Sequence, residues 1–282
     1  MSKFSIFIGI DQTGASRRGG RAAAPLKMSV LAPNSRGRFQ LIPKILSAVS
    51  PRALGEHAVL DSRTLLAIDC VFGLPAACWK KKKNQAGALW ELMKSTQGSP
   101  LYGRGPAEDF FQTLVRSPIE SPKLPRRECE LHCKANSVFL ARPYQKNIQT
   151  GTYRIWKDLA SESADRWFHL WPFEDEKVSR DLPWIFEGYP SHLWREIFNF
   201  KTRQPERIGE IFSLFKSEIT VTSKDLALLQ SNADFADSAI LALGAFFHHR
   251  EKTLFEPFPA FRKHPKARRE GWILGVSTYN FL

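Results

Sequence analysis

The sequence predicts an α/β protein built on a mixed β-sheet, in which an antiparallel three-strand meander joins parallel strands and helices flank both faces. Three observations support this class. Phe4 to Asp11 is an almost unbroken apolar run, typical of a strand buried on both faces. Leu26 to Leu31 and Arg38 to Ile42 follow as strands separated by a turn at 33–37. Arg63 to Asp69 then repeats the first design, an apolar strand that ends on an aspartate.

The segment between the meander and the fourth strand supplies the expected crossover. Pro43 to His57 has apolar residues at helical spacing and predicts a helix that Pro51 breaks or kinks. The Thr64 to Ile68 strand should then enter the sheet beside the first strand.

The middle of the chain is less regular. We expect one domain over 1–282, with an irregular, helical insertion over 73–165. Within it the pattern predicts helices through Leu92 and Met93, over Ala107 to Val115 and over Tyr153 to Leu159. Residues 117–127 are rich in Pro, Ser and basic residues and favour an exposed connector.

The last third returns to the sheet and ends in helices. Strands are expected at 167–173 and 184–187, and Ser191 is a candidate N-cap for a helix through Phe198. Further helices are expected over 206–215 and 223–229. A longer helix, capped by Asn232 or Ser231, should run to about His248 or His249.

The charge balance points to a polyanionic partner. The net charge is +13 and the isoelectric point is near 9.7, and nucleic acid is the commonest partner of such a surface. Two clusters are candidate phosphate contacts, with a solvated basic loop as the alternative for each; they comprise Arg17, Arg18, Arg21, Lys80, Lys81, Lys82 and Lys83. A third basic tract covers 262–269.

Other features bear on location and thiol chemistry. No apolar run reaches membrane-spanning length and the N-terminal residues lack a signal-peptide pattern, so we expect a cytoplasmic protein with no membrane partner. The four cysteines fit reduced thiols. Cys129 and Cys133 could be zinc ligands, but no well-spaced second pair accompanies them, which favours structural thiols.

Acidic residues follow the apolar strands at their carboxyl ends, where α/β sheets usually carry their functional side chains. Asp11 and Asp69 each end an apolar strand, and Glu187 ends the strand at 184–187. Asp234 and Asp237 are three residues apart and share one helical face. The simpler interpretations are that Asp11 only binds its own turn and that the helical pair lies at an exposed N-terminal turn, where acids favour the helix dipole.

Together these five carboxylates predict a metal centre. Two like charges about 4 Å apart repel by roughly 4 kcal/mol at an effective dielectric of 20, which a bound cation would relieve. Oxygen-only ligands suit Mg²⁺ or Mn²⁺. Two such ions about 3.5–4 Å apart can bracket a phosphodiester, so charge and site predict the same class of substrate.

The order of motifs resembles the ribonuclease H-like fold, and more narrowly the domain of unknown function 429 family of predicted ribonuclease H-like nucleases. The matching segments span nearly the whole chain; they are Ile8-Gly9-Ile10-Asp11, Ala67 to Pro75, Phe186 to Pro190, Asp234 to Ala239, and Glu270 to Ile273. The resemblance implies catalytic roles for Asp11, Asp69 and Asp237, with Asp234 and Glu187 as further candidates. The family implies little about the substrate, and the acidic site together with the basic charge predicts hydrolysis of phosphodiester bonds in DNA, RNA or a hybrid.

Two departures and two alternatives stay open. The family often has small residues or proline after the second acid, where this chain has Cys70-Val71-Phe72, and the basic tracts at 80–83 and 262–269 look peculiar to this chain. One alternative is a nucleotide-binding protein related to actin-like kinase folds, with Asp11 to Gly14 as a phosphate loop. The other is a catalytically silent nucleic-acid-binding module.

Overall fold

A computed structural model describes residues 4–12, 23–78, 85–114, 125–140, 148–174 and 181–278. Seven strands in these residues form one sheet: Ile6–Asp11 (β1), Leu26–Pro33 (β2), Phe39–Leu46 (β3), Thr64–Asp69 (β4), His169–Leu170 (β5), Trp184–Gly188 (β6) and Ile219–Thr220 (β7). The α-helices are Pro51–Gly55 (α1), Gln85–Ser95 (α2), Arg104–Thr113 (α3), Glu128–Cys133 (α4), Ile148–Ser161 (α5), Pro190–Glu196 (α6), Ile208–Leu214 (α7), Ser223–Ser231 (α8), Ala233–Arg250 (α9) and Ala267–Glu270 (α10).

The predicted fold class is confirmed. The strand order is β5-β6-β4-β1-β2-β3-β7. β1, β2 and β3 form the antiparallel meander, whereas β4, β6 and β5 run parallel to β1 and β7 runs parallel to β3. This mixed sheet, flanked by helices, is consistent with a ribonuclease H-like arrangement.

Two hydrophobic layers cover the sheet, because alternate residues of each strand face opposite sides. Ile8 and Ile10 of β1 belong to the layer that includes α2, α3 and α5. Phe7 belongs to the opposite layer, which is centred on α9. All six residues of β1 are buried, as expected for a strand covered on both faces.

Helix α9 lies directly against the centre of the sheet. A Cβ atom at Gly9 would stand 1.9 Å from the carbonyl oxygen of Ser238, so only glycine permits this approach of helix and strand. The Ser238 hydroxyl is 2.8 Å from that of Ser29 on β2. These contacts fix the rotation of α9 and therefore the position of Asp237, its preceding residue.

The predicted helix over 43–57 is wrong in its first part. Residues 43–46 continue β3, paired with β2 as far as Leu46 opposite Leu26. Helix α1 begins at Pro51, and its N-cap is Ser50, whose hydroxyl accepts from Ala53 N at 3.3 Å. Pro51 therefore starts the helix and does not break it, because the first turn needs no N–H from that residue.

Three further expectations are corrected. The strand expected over 167–173 is limited to His169 and Leu170. Helix α6 begins at Pro190 with Tyr189 as its N-cap, so Ser191 is not the cap. Arg127, placed by composition in an exposed connector, is 1% exposed. In the described residues, no helix is long and apolar enough to cross a membrane.

Candidate acidic site

Asp11 and Asp69 lie at the same edge of the sheet because β1 and β4 are adjacent parallel strands. Ile10 pairs with Ile68, so the next residue of each strand is its aspartate. Asp11 is buried and Asp69 is half-buried, at the point where both strands leave the core. Sequence reasoning predicted both positions from the pattern of an apolar strand that ends on an acid.

Helix α9 brings two more carboxylates to this edge. Asp234 is in its first turn, and the side chain of Asn232 caps the helix by accepting from Asp234 N at 3.0 Å and Phe235 N at 3.1 Å. Asp237 is one turn further along and is buried. Asp234 is only half-buried, so it lies toward the rim and Asp237 toward the floor.

Both oxygens of the Asp237 carboxylate accept hydrogen bonds. Trp194 of α6 donates through Nε1 to Oδ1 at 2.8 Å. Arg203 donates through Nη1 to Oδ2 and forms an ion pair with the same atom. The Arg203 side chain is 39% exposed, so it reaches this carboxylate from the solvent side.

The electrostatics tie these groups into one cluster. Burial raises the pKa of Asp69 to about 8, and the negative charges of Asp237 and Glu187 add to the increase. A hydrogen bond from Gln12 opposes this shift only in part. Burial also raises the pKa of Asp237, against the hydrogen bonds from Trp194 and Arg203. Burial therefore disfavours the ionised form of both carboxyl groups, and Asp69 keeps its proton at neutral pH when no cation is bound beside it.

Arg203 interacts with three of the acids. Burial lowers the pKa of its guanidinium, but the negative charges of Asp237, Asp11 and Asp234 stabilise the protonated form, and the net effect is a raised pKa. Arg203 therefore interacts electrostatically with Asp237, Asp11 and Asp234, and Asp69 interacts with Asp237. The sequence singled out these four acids but not the arginine, and their role as metal ligands stays a prediction.

Glu187 is close to this cluster, but its carboxylate forms an ion pair with Arg127. Its register on β6 is opposite Ile68, one residue before Asp69. Arg127 donates Nη1 to Oε2 at 2.6 Å and Nη2 to Oε1, and the backbone N–H of Phe72 donates to Oε2 at 2.9 Å. Both oxygens are therefore occupied, and Glu187 serves as the counter-ion of a buried arginine.

The same arginine closes a buried network with α4. Its Nε donates to Oε1 of Glu130 at 2.9 Å, and its backbone N–H donates to Oε2 at 2.9 Å. Glu130 is 1% exposed. Because a buried charge needs both a partner and hydrogen bonds, this network explains why Arg127 tolerates its burial.

The donor set fits a hard divalent cation in its chemistry. Asp11, Asp69 and Asp237 offer only oxygen atoms, which are the ligands that Mg²⁺ and Mn²⁺ prefer. Within the described ranges, however, no three or more acidic, histidine or cysteine side chains are arranged as a metal cluster. Arg203 would have to leave Asp237 for that residue to bind an ion through Oδ2.

A cavity of about 180 Å³ opens beside Asp69. Its lining comes from the ends of β4 and β6, from the Arg127 network, from the start of α5 and from Ile273. The acidic cluster and the cavity therefore share Asp69 and one edge of the sheet.

The remaining predicted residues divide into two groups. The basic clusters Arg17, Arg18, Arg21 and Lys80 to Lys83 lie outside the described residues. Cys129 and Cys133 are buried free thiols, and burial raises the pKa of both.

Four residues of the site escaped sequence reasoning: Gln12, Arg127, Trp194 and Arg203. Gln12 follows Asp11 directly and Trp194 lies shortly after the Phe186 to Pro190 segment, so their proximity to these motifs could have indicated that they belong to the site. Arg127 and Arg203 had no such signal, since both stand in irregular segments among many other basic residues.

Comparison of the chain with protein-family models, with curated proteins and with solved structures gives no match. The function therefore has to be inferred from the fold and from the geometry of the acidic site.

Proposed function

We propose that this protein is a divalent-metal-dependent nuclease of the ribonuclease H-like class that hydrolyses phosphodiester bonds in nucleic acid. One observation supports the proposal: Asp11 and Asp69 end adjacent parallel strands, and Asp237, on the helix packed against β1, is near enough to Asp69 for its charge to raise the pKa of Asp69. The net charge of +13 supports a polyanionic substrate.

The roles follow from position and burial. β1, which carries Asp11, contacts both β4 and α9, so Asp11 would hold Mg²⁺ or Mn²⁺ together with Asp69 and Asp237. Bound ions would supply an activated water and stabilise the leaving oxygen. Asp234, at the rim, would bind an outer water or position Arg203. Glu187 would hold Arg127 and so orient the end of β4 beside Asp69.

The kinase-like alternative would also need a second phosphate loop, after Asp69, and the contacts of that segment do not favour one. Backbone N–H groups that could cradle a phosphate after Asp69 are already engaged: Val71 donates to Thr152 Oγ1 at 3.2 Å and Phe72 to Glu187. Ala76 N likewise donates to Glu270 Oε1 at 2.8 Å. A Cβ at Gly73 would meet the Glu270 carbonyl at 1.8 Å, so this glycine serves packing.

The silent binding module has one observation in its favour, the Arg203–Asp237 ion pair. An arginine that holds Asp237 permanently would take the place of a metal ion and leave a basic protein that binds nucleic acid without cutting it.

The test that separates these functions is a cleavage assay on single-stranded, double-stranded, hybrid and branched substrates, with Mg²⁺, with Mn²⁺ and with EDTA. We expect metal-dependent cleavage of at least one substrate that EDTA abolishes. Binding of the same substrates without any cleavage in either metal would establish the silent module. Cleavage that persists in EDTA would contradict the proposed chemistry.

A further inference from the structure

The cavity beside Asp69 is large enough to hold a six-membered aromatic ring and is much larger than a water molecule. Its volume is about 180 Å³. A single water needs on the order of 10–15 Å³, whereas an apolar cavity of about 150 Å³ accepts benzene. The space is therefore large enough for one six-membered heteroaromatic ring with its substituents.

The cavity is lined by both apolar and polar side chains, which suits the apolar faces and the polar edge of a heteroaromatic ring. Apolar contacts come from Val71, Leu140, Ile148 and Ile273, among others. Such side chains can cover the flat faces of a ring, which gain from leaving water. Val71 and Ile273 are themselves buried, so this part of the wall is held by the core.

The polar part of the lining offers edge recognition without free charge. Asn136 brings an exposed amide, which carries both a donor and an acceptor and can pair with the edge of a base. Gln12 also lines the space, but its amide donates to Asp69. Tyr189 adds a phenol whose pKa burial raises, so it stays protonated. Arg127 also lines the cavity, but Glu187 and Glu130 already bind its guanidinium.

The charges argue against an anionic occupant. Among the residues that the structure describes, three acids line the space, Asp69, Glu130 and Glu187, beside one arginine that is already paired with the two glutamates. These described side chains therefore offer a phosphate or carboxylate no unpaired cation. A neutral ring with donors and acceptors on its edge would not need one.

We propose that this cavity is a base-binding subsite, which holds one unstacked, pyrimidine-sized base beside the phosphodiester at the acidic cluster. The inference rests on the proposed function for the identity of its ligand, and it makes the substrate more specific: a single strand, a strand end or a base turned out of its stack. A continuous duplex keeps its bases stacked and would pay several kcal/mol to present one.

Binding can be tested without metal and without cleavage. Saturation-transfer NMR in EDTA compares 2′-deoxycytidine with 2-deoxyribose, which lacks the base; neither compound carries a phosphate group. We expect saturation of the cytosine H5 and H6 protons to exceed that of the sugar protons, and at least a fivefold smaller signal from the baseless compound. Equal signals from the two compounds would overturn the subsite.

Two variants locate the binding in the cavity. Ile148→Trp places a larger ring at a half-buried lining position and should remove the cytosine signal. Asn136→Leu changes an exposed residue, so folding is preserved, and should weaken the signal several-fold. Ile45→Trp, at a 57% exposed position of β3, is the matched control and should behave as the parent. A cytosine signal that survives both cavity variants would contradict the assignment.

A cleavage arm keeps this inference separate from the nuclease itself. Single strands with and without one abasic position next to the cut site should differ at least tenfold in rate for the parent, and Ile148→Trp should remove that difference by slowing the base-containing strand. Equal rates on both strands with the parent would overturn the subsite while the nuclease stands. Cytosine saturation without any cleavage would support the subsite while the nuclease fails.

Discussion

Arg203 donates through Nη1 to Oδ2 of Asp237, so a cation contributed by the chain already touches the acidic cluster. The same arginine is drawn by Asp11 and Asp234. Its side chain is partly exposed, and a partly exposed arginine can move to solvent at little cost. We therefore interpret Arg203 as a competitor of the metal ion for Asp237.

Replacing this arginine should tighten metal binding. In Arg203→Gln, a positive charge leaves the site and Asp237 Oδ2 loses its ion-pair partner, so we expect the Kd for Mn²⁺ to fall on the order of tenfold, about 1.4 kcal/mol. Isothermal titration of the protein with Mn²⁺, without substrate, measures it. Arg207→Gln, whose guanidinium pairs with exposed Glu210, is the control. Unchanged or weaker Mn²⁺ binding in Arg203→Gln would show that the arginine does not compete.

The raised pKa of Asp69 predicts a pH dependence of stability. With a folded-state pKa of about 8 against 3.8 for the free side chain, the folded state keeps a proton that the unfolded state loses between about pH 4 and pH 8. The free energy of unfolding of the metal-free protein should therefore decrease as pH rises through this window.

Asp69→Asn should remove that dependence and stabilise the metal-free protein at pH 8, on the order of 1–3 kcal/mol. Urea unfolding in EDTA at several pH values measures it. Asp61→Asn is the control, because the hydrogen bond from Arg63 lowers the pKa of Asp61 and no gain is expected there. A lower stability of Asp69→Asn than of the parent at pH 8 would show that ionised Asp69 does not destabilise the folded state.

Glu187 should behave as a structural residue. Glu187→Gln leaves the buried Arg127 with a weaker partner, so we expect a loss of about 3 kcal/mol in the free energy of unfolding. Denaturant titration measures it, and Glu210→Gln in an exposed pair should cost less than about 1 kcal/mol. Unaltered stability together with abolished cleavage would instead make Glu187 a catalytic ligand.

A second pH effect comes from the far end of α9. Burial, together with the nearby His192, lowers the pKa of His248 from 6.5 to about 4. Between about pH 6.5 and pH 4, His248 is therefore protonated in the unfolded state but remains neutral in the folded state. Stability should fall as pH drops from 6.5 toward 4, by up to about 3 kcal/mol from this group.

His248→Gln cannot take up this proton, so its free energy of unfolding should change less over that range. Guanidinium titrations at pH 6.5, 5.5 and 4.5 compare the two proteins. A parallel decrease in both would mean that other groups carry the acid sensitivity.

The fold could be predicted where local pattern and tertiary role agree. β1 and β4 are apolar because both faces are covered, and their aspartates mark the points where the strands leave the core. The end of β3 was mistaken for a helix because Ile45 and Leu46 also suit helical spacing, and the pairing with β2 decides between them.

The candidate site was predictable only in its acids. Carboxylates at strand ends carry a positional signal, because parallel strands end at a common edge. Arg203 and Arg127 reach their partners through long side chains from irregular segments, and tertiary packing alone selects them from the 41 lysines and arginines of the chain. Sequence placed Glu187 near the site correctly, and only the structure reveals its pairing with Arg127.

The central claim is that Asp11, Asp69 and Asp237 hold the ions that cleave nucleic acid, and the Asp11→Asn variant tests it most directly. The amide keeps the shape of the side chain and removes its charge, so we expect Mn²⁺-dependent cleavage to fall at least a thousandfold, while folding and nucleic-acid binding at low salt persist. Asp234→Asn, at the half-buried rim, should retain more activity than Asp11→Asn. The measurement is the single-turnover cleavage rate of parent and both variants on the best substrate of the panel. Cleavage by Asp11→Asn at the parent's rate would contradict the account.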